Sequence, residues 1–458
     1  MKKAAEFGED FKWGVSTSAY QTEGGHEADG KGLSIWDVFV NKKRKIAGGH
    51  HGNTACNFYS NYVEDLRLMR AMEIKNFRFS ISWPRVLPNG TGPINQKGLD
   101  YYDRLVDECL KHDIEPWVTL YHWDLPLALE LKGGWTNRDI LEWFMEYVDV
   151  CSDKLGDRVG HWMVMNEPMV FTGAGYFLGL HAPGRIGLKN FLSSVHHAAL
   201  CQAQGAHVIR DRWPEAVIGT TFSCSHLEPA TTSLNDELAT KRVDALLNRL
   251  FVEPALGLGY PEDELKLLSR MDPYMRPGDE SLLSFDFDFI GIQNYTREII
   301  AHSYFVPYLQ AKLIRANKRK VEATLMNWEI YPESIYHMLK KFSDYEGVKK
   351  IIVTENGAAF NDHLIEGNIH DHQRTAYLRN YIAQMLRAKK EGINVAGYFV
   401  WTFLDNFEWA EGYFPRFGLV YVDFVTQERI IKQSGYWYQQ FLADEPIPEK
   451  QSFFSRID

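Results

Sequence analysis

Eight short apolar runs, rich in β-branched and aromatic residues, constrain this chain more than any other feature of its sequence. They span residues 11–16, 76–82, 115–121, 161–165, 217–223, 287–295, 350–354 and 395–402, and each has the length and composition of a buried strand. Amphipathic helical patterns lie between them at 61–72, 99–112, 138–154, 335–344 and 374–391. Strands alternating with helices along a whole chain imply parallel pairing, and eight such units close into a (β/α)8 barrel. No Pro/Gly/Ser-rich linker or low-complexity tract divides the 458 residues. The expectation is therefore an α/β fold: a single TIM barrel, one domain over 1–458. Such a barrel needs only about 250 residues, so long insertions fall in its loops, chiefly before the second and sixth strands and after the sixth.

Composition excludes several function classes. Sixty acidic against 50 basic residues give a net charge of −10, the wrong sign for a nucleic-acid footprint. No apolar stretch approaches the roughly 20 residues of a membrane helix. Five scattered cysteines (Cys56, Cys109, Cys151, Cys201, Cys224) form neither a disulfide framework nor a zinc set. Lys2 and Lys3 are followed by Ala-Ala-Glu-Phe-Gly-Glu-Asp rather than a hydrophobic region. The expected location is cytoplasmic, with free thiols. Aromatic residues reach 14%, more than a core needs, and surplus rings suit a binding cleft. The basic segments 42–45 and 312–320 read as solvated loops. The histidine groups His50-His51, His196-His197 and His370-Asp-His372 lack the spacing of metal ligands, so no metal is expected.

The chemistry lies where two runs end. His161-Trp-Met-Val-Met-Asn166-Glu167-Pro168 is an apolar strand closed by an amide, a carboxyl group and a proline. Lys350-Ile-Ile-Val-Thr354-Glu355-Asn356-Gly357 has the same design, ending in a carboxyl group and a turn signal. Each glutamate alone could cap a loop or pair with an arginine. As the ends of strands four and seven, the two face one another across the mouth of the barrel. A pair of carboxyl groups flanking an acetal is the equipment of glycoside hydrolysis.

From Phe11 to Trp437 the sequence resembles the family 1 glycoside hydrolases, a family of retaining β-glucosidases. The matching stretches include Phe11 to Gly24, Phe77-Arg78 to Arg85, Leu120-Tyr-His122-Trp123-Asp-Leu-Pro126 and Asn166-Glu167-Pro168. They continue with His181-Ala-Pro-Gly184, Trp328 to Pro332, Thr354-Glu355-Asn356-Gly357 and Trp401 to Glu408-Trp409. The resemblance implies that Glu167 is the general acid/base and Glu355 the nucleophile. Arg78 then stands beside the nucleophile, Tyr295 bonds to it, and Asn166 donates to the sugar 2-hydroxyl. Gln21, His122, Glu408 and Trp409 match hydroxyl-binding positions, Trp401 the stacking platform, Trp123 and Phe417 pocket walls, and Trp328 the aglycone wall.

The implied activity is exo-acting, retaining hydrolysis of terminal non-reducing β-linked sugars. Glucose leads, with galactose and fucose as further sugars, and transglycosylation shares the intermediate. No cofactor is expected, the only partner is a small β-glycoside or oligosaccharide, and homo-oligomerisation is left open. Glu408 would repel a phosphate dianion, which disfavours a 6-phosphosugar hydrolase. Both glutamates are present, which disfavours a catalytically silent sugar-binding barrel. The pattern departs from the family at Met169, which implies a softer aglycone face. It departs again at Gln293-Asn294-Tyr295, which implies altered hydrogen bonding at the nucleophile, and at Phe414-Pro415, which implies a less polar rim.

Overall fold

The computed structural model of the protein describes residues 3–444. The expectation of one domain over 1–458 therefore runs beyond the described residues at both ends. Eight strands, β1 (Lys12–Ser16), β2 (Asn76–Ser80), β3 (Glu115–Tyr121), β4 (His161–Asn166), β5 (Val217–Ser223), β6 (Phe289–Gln293), β7 (Ile351–Asn356) and β8 (Val395–Trp401), form a closed barrel. Neighbours pair in parallel in chain order, and β8 closes onto β1. Each of the eight apolar runs supplies one strand, so the (β/α)8 expectation holds.

The principal helices are α1 (Phe58–Ala71), α2 (Gln96–Lys111), α3 (Ile140–Leu155), α4 (Leu188–Arg212), α5 (Leu234–Asp244), α6 (Glu333–Ser343), α7 (His372–Lys390) and α8 (Gln433–Leu442). Periodicity anticipates α1–α3, α6 and α7. It misses α4 because every residue from Phe191 to Ala203 is buried, so no polar face marks the period. It misses α5 for the opposite reason. That helix buries only Asp236, Ala239 and Val243, and the last two pack on Ile300 and Ala311. There α5 covers a three-stranded sheet of His226–Pro229, Arg297–His302 and Ala311–Leu313, built from the insertions after β5 and β6.

The barrel is filled by Trp117, Met163, Phe289, Ile352 and Phe399, contributed by β3, β4, β6, β7 and β8. Large rings require small neighbours. A Cβ on Gly219 of β5 would lie 2.4 Å from the Phe289 ring, so glycine there makes room for the plug. Arg78 of β2 rests on this plug, its Nε 3.2 Å from Met163 Sδ. The C-terminal strand ends above it are left free for polar groups, as in barrels generally.

A buried ionic cluster ties down the loops after β7 and β8. Arg374 of α7 donates to Asp362 at 2.8 Å and also bonds Asp371. Lys432 donates to Asp362 and Asp405 at 2.6 Å each, and Arg416 donates to Asp405 at 2.7 Å. The basic segments are mostly exposed, as expected. Lys42 and Lys45 nevertheless donate to Pro183 O and Gly179 O, bracing the 179–184 loop.

Candidate active site

Glu167 follows β4 directly and Glu355 is the penultimate residue of β7. Both strands break register at these ends: β4 against β5 between Met163 and Asn166, and β7 against β6 between Val353 and Glu355. Such irregularities re-aim side chains near functional sites. Glu167 has φ 44° and ψ 62°, a left-handed conformation that a non-glycine residue adopts at a cost. Trp123 (φ 77°) and Trp409 (φ 45°) share that property. All three line one cavity of about 320 Å³, together with Glu355.

Glu355 is surrounded by donors. Arg78 Nη1 donates to Oε1 at 2.5 Å, Gln293 Nε2 donates to the same oxygen at 2.8 Å, and Tyr295 Oη donates to Oε2 at 2.6 Å. Burial raises the Glu355 pKa, and Arg78 and Tyr295 pull it back down. Glu167 differs. Burial raises its pKa well above the usual carboxylate range, the Glu355 charge raises it further, and Ser223 and Arg78 offset only part of this. Two carboxyl groups of one cavity are thus biased apart: Glu355 ionises first and Glu167 keeps its proton.

The whole chain can now be set against known proteins. Residues 3–446 match the family model described as "Glycosyl hydrolase family 1". The chain belongs to that family. β-Glucosidase A of Thermotoga maritima is 42% identical over 97% of this chain and 99% of its own length. β-Glucosidase A of Acetivibrio thermocellus is 43% identical over 96% of this chain and 98% of its own. The solved structure of the Thermotoga maritima β-glucosidase in complex with deoxynojirimycin superposes with a TM-score of 0.93 at 41% identity, covering 98% of this chain and all of that one.

In this family 1 chain the remaining site residues fall into two groups. His122, Trp123, Tyr295, Trp328, Trp401, Glu408, Trp409 and Phe417 line the cavity beside the two glutamates. Gln21, Arg78 and Asn166 are fully buried and bond directly to cavity residues, Gln21 lying against Glu408, Arg78 against Glu355 and Asn166 against His122. Asn166 Oδ1 accepts from Arg78 Nη2 at 2.5 Å and Gln293 Nε2 at 2.7 Å, which fixes the amide so that its nitrogen meets His122 Nε2 at 3.1 Å. Burial and the Arg78 charge lower the His122 pKa well below its ordinary value, so the ring is neutral. With Nε2 accepting from Asn166, the proton sits on Nδ1, which has no hydrogen-bond partner among the described residues and can donate to a ligand hydroxyl.

Gln21 Nε2 donates to Phe407 O at 3.0 Å and lies 3.4 Å from Glu408 Oε2. Burial pushes the Glu408 pKa up to about 8, and the charges of Glu355 and Glu411 add to the rise. The rings form a continuous wall: Trp123 to Trp409 is 4.6 Å between centroids, Tyr295 to Trp328 is 5.2 Å, and Trp328 to Phe417 is 6.1 Å.

Sequence reasoning missed several groups. It saw Gln293 only as a departure, whereas the side chain bridges Glu355 and Asn166. Ser223 at the end of β5, Cys224 just after it, and Glu298 and Glu411 in loop insertions also line the cavity, and no motif marked them. The loop rim departs from expectation at Met169, which packs on the core while Val170 lines the cavity. Phe414 is exposed, its ring 5.1 Å from His50. The paired histidines have protein partners: His196 bonds Tyr260 and Asp279, and His197 bonds Trp135 O. Among the described residues no group of three or more His, Cys, Asp or Glu side chains is arranged to hold a metal ion.

Proposed function

We propose that this protein is a retaining, exo-acting β-glucosidase that hydrolyses terminal non-reducing β-linked sugars of small glycosides and oligosaccharides. One observation carries the reading: two buried carboxyl groups share one cavity, one held by three donors and the other with its pKa raised by burial and by its partner's charge. Glu167 protonates the glycosidic oxygen as the aglycone leaves, while Glu355 attacks the anomeric carbon to form a glycosyl-enzyme. Esterification removes the Glu355 charge, the Glu167 pKa falls, and Glu167 then takes a proton from the water that attacks the intermediate. Arg78 keeps the nucleophile ionised. Tyr295 orients it, and Asn166 serves the 2-hydroxyl.

Gln21, His122, Glu408 and Trp409 bind the sugar hydroxyls, Trp401 supplies the stacking face, Trp123 and Phe417 wall the ring, and Trp328 borders the aglycone. The names of the relatives support glucose as the leading sugar, with galactose and fucose as further substrates. A neutral sugar is favoured over a phosphosugar because five glutamates and no lysine or arginine line the cavity. The carboxyl pair supplies both acid and nucleophile, so no cofactor is called for. Five free buried cysteines suit a cytoplasmic location, and we read the chain as one domain.

The assignment is tested by Glu355→Gly. Turnover of 4-nitrophenyl β-glucoside should disappear, and azide should restore it with an α-glucosyl azide as product. No rescue, or a β product, would remove Glu355 from the role of nucleophile.

A further inference from the structure

Glu298 lies on Arg297–His302, the strand shared by both pairings of the three-stranded sheet, and its side chain reaches the same cavity as Glu167 and Glu355. Two arginines near it are engaged elsewhere. Arg297 donates through Nε and Nη2 to Glu329 at 2.8 and 2.9 Å and through Nη1 to Glu228 at 3.0 Å. Arg319 closes on Glu329 at 2.8 Å. Glu329 is thereby clamped, and so is Trp328 next to it in sequence. Glu298 itself makes no side-chain hydrogen bond or ion pair with any described residue. A half-buried carboxyl group without a partner is costly, and proteins keep such groups where a ligand completes them.

Chain neighbours separate the two rim carboxyls: Glu298 adjoins Arg297, which is bonded to Glu329 next to Trp328, whereas Glu408 lies against Gln21. Glu298 feels Arg319, Arg315 and Glu329. Glu408, by contrast, feels Glu355 and Glu411. Glu298 therefore stands at the Trp328 end of the cavity, away from the group that binds the terminal sugar. Burial raises its pKa to about 7 even with Arg319 and Arg315 nearby. Sugar hydroxyls are donors of the kind this carboxyl lacks, and Trp328 offers a ring platform in the same cavity.

We propose that Glu298 is a specificity-determining residue on the leaving-group side, where it accepts hydrogen bonds from the hydroxyls of an aglycone sugar stacked by Trp328. The inference rests on the glycosidase reading and goes beyond it in naming what favours a sugar over an aryl leaving group.

The test compares kcat/KM for cellobiose with kcat/KM for 4-nitrophenyl β-glucoside, whose leaving group carries no alcohol hydroxyl, in the wild type, Glu298→Gln and Glu298→Leu. The cellobiose-to-aryl ratio should fall about tenfold or more in the leucine variant and by a smaller factor in the glutamine variant, which keeps one acceptor oxygen. The glycosyl-enzyme should also partition away from a glucose acceptor toward methanol in the same order. If the leucine variant does not fold, the near-isosteric glutamine variant carries both measurements. A ratio within about twofold of wild type overturns the inference, including the case where both substrates decline together. A wild-type protein that hydrolyses neither substrate would instead sink the glycosidase reading itself.

Discussion

At the scale of single residues the site is an arrangement of stored cost and matched charge. Left-handed backbone at Glu167, Trp123 and Trp409 costs on the order of 1–3 kcal/mol each and aims three side chains into one cavity. Because Glu167 is raised by burial and by Glu355, Glu167→Gln should cut kcat/KM on cellobiose by about 10²–10⁴-fold. An activated aryl glucoside should lose far less; equal loss on both would argue against an acid role. The proposed roles require Glu355 ionised and Glu167 protonated, so kcat/KM should fall below the first pKa and above the second. Arg78→Met removes a charge that lowers the Glu355 pKa, and the acidic limb of the pH profile should move to higher pH. An unmoved limb would show that Arg78 does not hold the nucleophile ionised. Both glutamates were legible in the sequence because each ends an apolar run with a polar group and a turn signal. Glu298 was not, since nothing in Arg297-Glu298-Ile299 distinguishes it from an ordinary strand residue.

Elements carry the next level of constraint. Asn356 and Gly357 close β7, and a Cβ on Gly357 would fall 1.7 Å from Trp401 O of β8. Gly357→Ala must therefore push apart the strand ends bearing Glu355 and Trp401. Overpacking of this kind costs about 1–3 kcal/mol or more. We expect a lower thermal-inactivation temperature together with lower kcat, and normal values of both would show that the loop yields freely. Strands were readable because apolar runs of strand length leave few alternatives. The helix α4 was not, because a helix buried on all sides loses its periodicity, and its histidines found partners in distant segments.

For the whole molecule, pH acts on carboxyl groups displaced in both directions. Asp362 is lowered: burial opposes this, but Lys432 and Arg374 outweigh it. Glu115 is lowered to about 2, with His161 and Lys12 overcoming burial. Stability from these groups is present above the unfolded value of about 4 and is lost as pH falls through the folded value. Asp124 and Glu408 are raised by burial to about 8 and act in the other direction, adding stability as pH falls from about 8 toward 4. Burial holds His122, His181 and His197 below their ordinary values, so these rings remove stability once pH falls below about 6.5. Melting temperature should therefore hold or rise slightly from pH 8 to about 6.5, decline below that, and drop steeply below about pH 4. A monotonic decline beginning at pH 8 would contradict the displaced carboxyls as its source.

What the sequence determined by itself was local and periodic: eight apolar runs in alternation, two carboxyl groups at strand ends, and motif residues whose side chains meet because parallel strands end on one face. What only the tertiary structure decided was which groups share a cavity and which bond to its lining. Gln293 bridging two strands, the neutral His122 with Nδ1 unbonded among the described residues, and the unpartnered Glu298 depend on segments far apart in the chain. Burial and charge at those places come from neighbours that no stretch of sequence contains.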